Sequence, residues 1–475
     1  MTLIKKTKII ATLGPASNQA ATFQKMFKTG VDVIRINMSH PLPLMRLKKT
    51  IHTIRRIAKK EKKTISIIMD LCGPKIRINF RNNDKVLKIL KNNIYKLGYS
   101  AQDIPINYNI KFSDIHKQSF VKIDDGKIQF KILKTSSKTL TLKAMTNGLV
   151  TQRKGINFIG MKFKFPSVTD EDKKNIKIAH DLGIDWLAQS FVRNAKNIQP
   201  IQRILHSMQS SIPIIAKIEQ PEAIENLDSI ITAYDGILVA RGDLGVEMEL
   251  STLPRLQKKI INKCIQYKKP CIVATQMLES MITQPNPTRA EVNDVANAIY
   301  DGVDSIMLSA ETAIGQFPIE SVHMMSSIIQ DIESDVDFTN FNRYIVESLS
   351  MTIYDNYSAI CHAAYSVAKN LKIKTIIVLT DSGKTAIQMA QFRPNALIIA
   401  VSPSHGICNQ LSMIWGVVPI YIKKFDNLDS ILTQLNTMLL DRKLLKDGQS
   451  FIVSSGILPN IHGSTNMLKI HTIQS

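Results

Sequence analysis

Apolar residues along this chain fall into short blocks separated by longer amphipathic stretches. Eight such blocks lie at 9–13, 33–37, 65–70, 186–191, 212–219, 236–243, 271–276 and 305–311. Short, nearly continuous apolar runs suit strands buried on both faces, as in a parallel sheet. Between most of them the apolar positions take a helical spacing with recognisable starts. Thr169-Asp170-Glu171-Asp172 precedes a helix over 173–182, Thr288 opens one over 289–300, and 221–232 is amphipathic. Strand–helix alternation sustained in this way predicts a closed (β/α)₈ barrel.

The alternation breaks between the third and fourth blocks. From Gly73 to Pro166 the pattern becomes short alternating strands with turn signals, among them FVKIDDGKIQF, whose Asp125-Gly126 pair reads as a tight hairpin. This segment is expected to form a small β-barrel lid inserted on the active-site face. Beyond Ser334 a second α/β pattern begins with a helix over 357–370, then TIIVLT, ALIIAV, VVPIYI, another helix and QSFIVSS. The expected division is a barrel over 1–72 and 167–340, a lid over 73–166, and an open-sheet α/β domain over 345–475.

Composition narrows the class. At 475 residues the chain exceeds one ordinary core, and 44% hydrophobic with 21% charged residues fits a soluble globular protein. The stretch 394–422 lacks Asp, Glu, Lys and Arg, but Pro403, His405, Gly406, Asn409, Gln410 and Pro419 interrupt it. It reads as buried strands around a helix, so no membrane embedding is expected. Five scattered cysteines without a C-x-x-C pair point to reduced thiols and a cytoplasmic location. Val378 stands where a Walker A loop ahead of Ser382-Gly383-Lys384-Thr385 needs its first Gly, which excludes a nucleotide P-loop there. The net charge of +22 is spread along the chain with no basic arm or aromatic-interleaved tract. Nucleic acid is therefore not an expected partner. Frequent Lys, Ile and Asn fit compositional drift in an AT-rich genome, and the field would still favour anionic substrates.

The chemistry concentrates in 212–247. One apolar run ends in Lys217-Ile218-Glu219, and side chains two apart on a strand share a face. The next run ends in Arg241-Gly242-Asp243. In a parallel βαβ unit both strands finish at the same mouth. Two carboxylates there suit a Mg²⁺-type ion shared with a substrate phosphate, and a neighbouring lysine suits an anionic transition state.

Nine ordered motifs carry a resemblance to the pyruvate kinase family from Thr7 to the last strand. They are TKIIATLGP (7–15), VIRINMSH (33–40), MDLCGPKIR (69–77), IDDGKI (123–128), KGINFIG (154–160), AKIEQPEAIEN (216–226), DGILVARGDLGVE (235–247), ATQMLESMITQPNPTRAEVNDVANAIYDGVDSIMLSAETA (274–313) and GSTNML (463–468). The resemblance implies phosphoryl transfer from phosphoenolpyruvate to ADP, giving pyruvate and ATP in glycolysis. It also implies a barrel with a lid inserted after strand three and an effector-binding C-terminal domain. Glu219 and Asp243 would hold Mg²⁺ or Mn²⁺, Lys217 and Arg35 would face the phosphoryl group, and Gly242, Asp243 and Thr275 would receive the substrate carboxylate. Proton delivery to the enolate carbon falls to Thr275 or Ser309 through water, a choice the sequence leaves open. Nucleotide contacts map to Asn37, Met38, Ser39, His40, Arg77 and Lys154. A K⁺ site maps to Asn37, Ser39, Asp70 and the Leu71 carbonyl.

Two departures from the family pattern stand out. Pro41 follows Ser39-His40 where many members have Gly, and a proline suits a first helical turn. Lys75 replaces the Glu of Gly-Pro-Glu-Ile-Arg, putting an ammonium near the K⁺ position, and is expected to make K⁺ dispensable. Thr380, Ser382, Gly383, Lys384 and Thr385 form an anion nest ahead of a helix, expected to bind a phosphorylated allosteric effector. By resemblance the effector is AMP or a sugar monophosphate, and the assembly a homotetramer. Rival readings are a phosphoenolpyruvate enzyme with a swivelling phosphohistidine domain, a nucleic-acid binder, and an inactive relative. No separate swivelling domain is visible, and the intact Lys217, Glu219, Asp243 and Arg35 set argues against loss of activity.

Overall fold

The eight apolar blocks form eight parallel strands that close into a barrel. In chain order they are Lys8–Thr12, Val33–Asn37, Ser66–Asp70, Trp186–Gln189, Ile214–Ile218, Gly236–Ala240, Cys271–Ala274 and Ser305–Leu308. Each neighbours its sequence successor, and the last closes on the first. The structure is a computed structural model and describes residues 5–82, 85–112, 119–160, 165–335, 356–423, 428–442, 444–456 and 465–473. KIIAT, SIIMD, IIAKI and GILVA are buried at every position, since one strand face fills the barrel and the other packs under helices. Thr169 and Thr288 cap the helices Asp170–Asp181 and Arg289–Tyr300 with reciprocal capping boxes to Asp172 and Glu291.

Three local differences from the sequence expectation matter for the site. The strand expected over 236–243 ends at Ala240, and Arg241–Glu247 is a short helix that carries Gly242 and Asp243 in its first turn. The helix expected over 221–232 is two pieces, Pro221–Glu225 and Leu227–Ala233. Pro41 does not occupy a first helical turn: the helix after the second strand starts at Leu44, with Pro43 as its cap. Pro43 drives Leu42 away from helical backbone and so delays the start.

The inserted segment curls as a six-stranded sheet built on its own apolar cluster, with Val121, Phe130, Leu140 and Leu142 fully buried. Phe120–Ile123 and Ile128–Thr135 pair antiparallel around the expected turn. There Asp124, Asp125 and Gly126 all take left-handed backbone. The C-terminal sheet has five strands in the spatial order Val417–Tyr421, Leu397–Ser402, Thr375–Leu379, Ser450–Gly456 and Thr465–Thr472, the last antiparallel. The charge-free stretch 394–422 is two of these strands around the helix His405–Leu411, and no described helix is long and apolar enough to cross a membrane. The expected boundary at 340–345 and Gly463-Ser464 of GSTNML lie outside the described residues.

The C-terminal sheet and its helices pack under the N-terminal ends of the barrel strands. Lys8 Nζ donates to the Val417 carbonyl at 2.7 Å, Ser305 Oγ to that of Met413 at 2.8 Å, and Trp186 Nε1 to that of Gln410 at 3.2 Å. All three residues begin barrel strands. The opposite, C-terminal mouth is left to the inserted sheet and the catalytic candidates.

Candidate active site

At the C-terminal mouth a polar cavity of about 410 Å³ opens between barrel and lid, lined in part by Arg35, Asp70, Lys217 and Glu219. Lys217 comes from the strand Ile214–Ile218, and Glu219 follows one residue past its end. Their shared face brings Lys217 Nζ to 2.7 Å from Glu219 Oε1. The same ammonium lies 3.2 Å from Asp70 Oδ1 and donates to Ser190 Oγ at 2.9 Å. Only 11% of the lysine side chain and 2% of each carboxylate side chain is exposed.

Burial disfavours the Lys217 ammonium, but Asp70 and Glu219 outweigh it and hold its pKa above the ordinary lysine value. The lysine is therefore a fixed cation. Glu219 is pushed up by burial and by the charge of Asp243, against the pull of Lys217, and its Oε2 accepts the Phe191 N–H at 2.9 Å. Phe191 reaches it from left-handed backbone, φ 56°.

Arg35 faces Lys217 across Asp70. Its Nε donates to Asp70 Oδ2 at 2.8 Å, Nη2 lies 2.6 Å from the same oxygen, and Nη1 donates to Thr12 Oγ1 at 3.1 Å. Against the cost of burial, Lys217 and Arg35 together hold the Asp70 carboxyl below its usual range. One buried carboxylate thus fixes two cations at set positions, the preorganisation an anionic transition state exploits.

Thr275 and Gln276 stand at φ 72° and 54°, a strained conformation for a β-branched residue. Arg241 holds that turn: its Nη2 donates to the Thr275 carbonyl at 2.7 Å and its Nη1 to Asp294 at 2.7 Å. Thr275 Oγ1 in turn accepts the Gly242 N–H at 2.7 Å, which brings the two groups together. Ser309 lines the same neighbouring cavity as Thr275, and its buried Oγ has no hydrogen-bond partner among the described residues.

Asn37, Ser39, His40, Arg77 and Lys154 line the first cavity together, and Met38 is buried behind them. Lys154 pairs with Asp124 at 2.7 Å. Burial and the cations Arg77, Arg153 and Arg35 lower the His40 pKa, so the ring is neutral near pH 7. The four groups expected to form a K⁺ site are held internally: Leu71 O accepts from Ser190 Oγ at 2.7 Å, and Asn37 Oδ1 accepts the Ser39 N–H at 3.1 Å. Ser39 Oγ contacts Cys72 Sγ, and Asp70 binds the two cations. Lys75 opens into this cavity too, yet its ammonium pairs with Asp243 Oδ1 at 3.0 Å rather than with those groups. Carboxylate attraction explains the choice: against burial, Asp243 raises the Lys75 pKa, and Lys75 with Lys217 lowers that of Asp243.

Among the described residues no three His, Cys, Asp or Glu side chains are grouped to hold a metal alone. Glu219 and Asp243 do sense each other's charge. Two hard carboxylates leave most of an octahedral shell to substrate and water, which fits Mg²⁺.

In the C-terminal sheet Gly383 (φ 79°) caps the helix Lys384–Gln391, and its N–H donates to Thr380 Oγ1 at 2.9 Å. Ser382 and Lys384 are exposed there. Thr385 is buried with its hydroxyl 2.8 Å from that of Thr465, so its side chain ties the loop to the last strand instead of facing solvent.

Sequence reasoning missed Ser190, Phe191 and Thr12, which orient Lys217, Glu219 and Arg35. Their only signal was position at or near the C-terminal end of a predicted barrel strand.

A barrel presenting two fixed cations beside two carboxylates, under an inserted lid, defines an enzyme that works on anionic substrates. Comparison with known proteins makes the class specific. The chain matches the pyruvate kinase barrel domain over residues 4–322 and the pyruvate kinase alpha/beta domain over 358–471. It is 37% identical to a pyruvate kinase of Sporosarcina psychrophila, over 99% of this chain and 81% of that protein. It is 36% identical to one of Methylorubrum extorquens, over 98% and 97%. A crystal structure of a pyruvate kinase from Cryptosporidium parvum superposes with a TM-score of 0.91 at 31% identity, covering 99% of this chain and 96% of that one. The chain belongs to the pyruvate kinase family, and is accordingly a kinase, a phosphotransferase. The family generally uses Mg²⁺ and K⁺.

Proposed function

We propose that the chain transfers the phosphoryl group of phosphoenolpyruvate to ADP, taking up one proton to release pyruvate and ATP. The observation that carries this reading is Lys217, held charged between Asp70 and Glu219 with Arg35 on the far side of Asp70. Phosphoryl transfer asks the protein for position and positive charge more than for covalent chemistry. Lys217 would sit against the transferring group and the enolate oxygen, and Arg35 would clamp the phosphoryl from the other side. A divalent ion held by Glu219 and Asp243 would neutralise phosphoryl and enolate oxygens when bound. The strained Thr275 turn and the start of the helix Arg241–Glu247 would receive the substrate carboxylate. Arg77, Lys154 and residues 37–40 would take the nucleotide. For the proton, Ser309 is favoured over Thr275: the Thr275 hydroxyl already donates to the Ala274 carbonyl at 2.6 Å, whereas that of Ser309 has no partner among the described residues.

A coupled assay for pyruvate, run in tetramethylammonium buffer with and without KCl at matched ionic strength, tests both reaction and cation. Pyruvate should form only with both substrates and a divalent ion. Because Lys75 brings an ammonium to the cavity, adding K⁺ should raise turnover by less than about tenfold, and Lys75→Glu should restore a larger K⁺ response. No pyruvate under any condition would overturn the proposed reaction. A phosphorylated effector at Thr380–Lys384, a homotetrameric assembly and a cytoplasmic location complete the proposed picture.

A further inference from the structure

Among the described residues, three lid side chains make polar contacts with the helix Arg241–Glu247. Lys75 Nζ pairs with Asp243 at 3.0 Å, Lys122 Nζ donates to the Val246 carbonyl at 2.6 Å, and Asn157 Nδ2 donates to Glu247 Oε1 at 2.7 Å. That helix carries one of the two carboxylates read above as the divalent-ion ligands. Lys75 itself is set in the hinge where the chain leaves the barrel. Its N–H donates to Gly73 O at 2.9 Å, its carbonyl accepts from Asn107 Nδ2 at 3.3 Å, and Arg77 bridges to Gly155 on the returning strand. Its stem crosses the hinge over Gly155, where a Cβ would stand 2.8 Å from Lys75 Cε. Both hinge strands therefore aim the ammonium at Asp243.

An ammonium and a divalent cation compete for one carboxylate. The pair is only 19% and 25% exposed, so breaking it costs more than breaking an open surface ion pair. Asp243 cannot take a metal ion at full strength while Lys75 holds it. Once Lys75 leaves, one of these polar contacts between lid and helix is gone.

We propose that Lys75 is an internal counter-ion of the divalent-ion site, which metal must displace from Asp243, so that metal loading loosens the lid from the helix Arg241–Glu247. The proposal rests on the reading of Glu219 and Asp243 as metal ligands, and the test separates the two. Binding of Mn²⁺ alone to the substrate-free protein is followed by the paramagnetic resonance of free Mn²⁺. Lys75→Met should bind Mn²⁺ about tenfold more tightly than the unsubstituted chain, and Asp243→Asn should lose binding at this site. Gly155→Ala, which crowds the lysine stem and touches neither carboxylate, should tighten binding in the same direction and decides the matter if Lys75→Met fails to fold. Hydrogen exchange on the lid strands Phe120–Ile123 and Ile156–Phe158 should rise with Mn²⁺ in the unsubstituted chain and not in Lys75→Met. Unchanged or weaker Mn²⁺ binding in Lys75→Met, with Asp243→Asn still defective, overturns the counter-ion and leaves the metal site standing. Unaltered binding in Asp243→Asn overturns the metal reading and the counter-ion with it.

Discussion

Lys217→Met should lower turnover by about a thousandfold, roughly 4 kcal/mol of transition-state stabilisation, while changing KM for phosphoenolpyruvate much less. The asymmetry follows from when the charge is used. In the proposed reaction Arg35 would still bind the phosphoryl group of the ground state, whereas charge on the departing enolate oxygen would develop only during transfer. The fold should survive the substitution for a reason specific to this site. Asp70 keeps both contacts to Arg35, and Glu219 keeps the Phe191 N–H. Glu219 is already pushed up by burial, so loss of Lys217 lets it take a proton at higher pH instead of standing as a bare buried charge. Steady-state kinetics with a circular-dichroism melt check both halves. Turnover within tenfold of the unsubstituted chain would remove Lys217 from the centre of the mechanism.

The barrel was legible because its strands are buried on both faces and therefore read as unbroken apolar runs. Lys217 and Glu219 were legible because a strand's two-residue period places them on one face, and they meet at 2.7 Å. What the pattern hid came from tertiary contacts. The expected 221–232 helix divides at Asn226, whose Nδ2 donates to the Arg193 carbonyl at 3.0 Å, a partner 33 residues away. Asp243 read as a strand end and lies on a helix that the lid meets: Lys75 reaches Asp243 itself, Lys122 the Val246 carbonyl and Asn157 the Glu247 carboxylate. Lys75 was singled out from sequence as an unusual ammonium near the K⁺ groups. Its pairing with Asp243 depends on the hinge geometry around Gly155, which no local pattern encodes.

The contact between barrel and C-terminal sheet should prove as sensitive in stability as Lys217 is in rate. Arg393 follows the helix Lys384–Gln391 and pairs with Asp304 at 3.1 Å, with 1% of either side chain exposed. Its Nη2 donates to Gly302 O at 2.6 Å, and its guanidinium lies 4.9 Å from the Trp415 ring centroid. Asp304 is tied on its other side by the Cys271 N–H at 2.9 Å. Removing one partner of so buried a pair leaves the other charge uncompensated, at a cost of about 3–5 kcal/mol, so Arg393→Met should unfold at markedly lower urea. Asp304→Asn added to Arg393→Met should recover part of that loss, because the amide oxygen still accepts from Cys271 and no bare charge is left behind. The chain has two tryptophans, and both report on this contact, Trp415 under Arg393 and Trp186 through its hydrogen bond to Gln410. Their fluorescence follows the transition at the contact itself, which matters in a multidomain protein whose unfolding need not be a single step. A midpoint shift worth under about 1 kcal/mol for Arg393→Met, or a double variant weaker than the single, would mean that the apolar packing around Trp415 holds the two parts together without the ion pair.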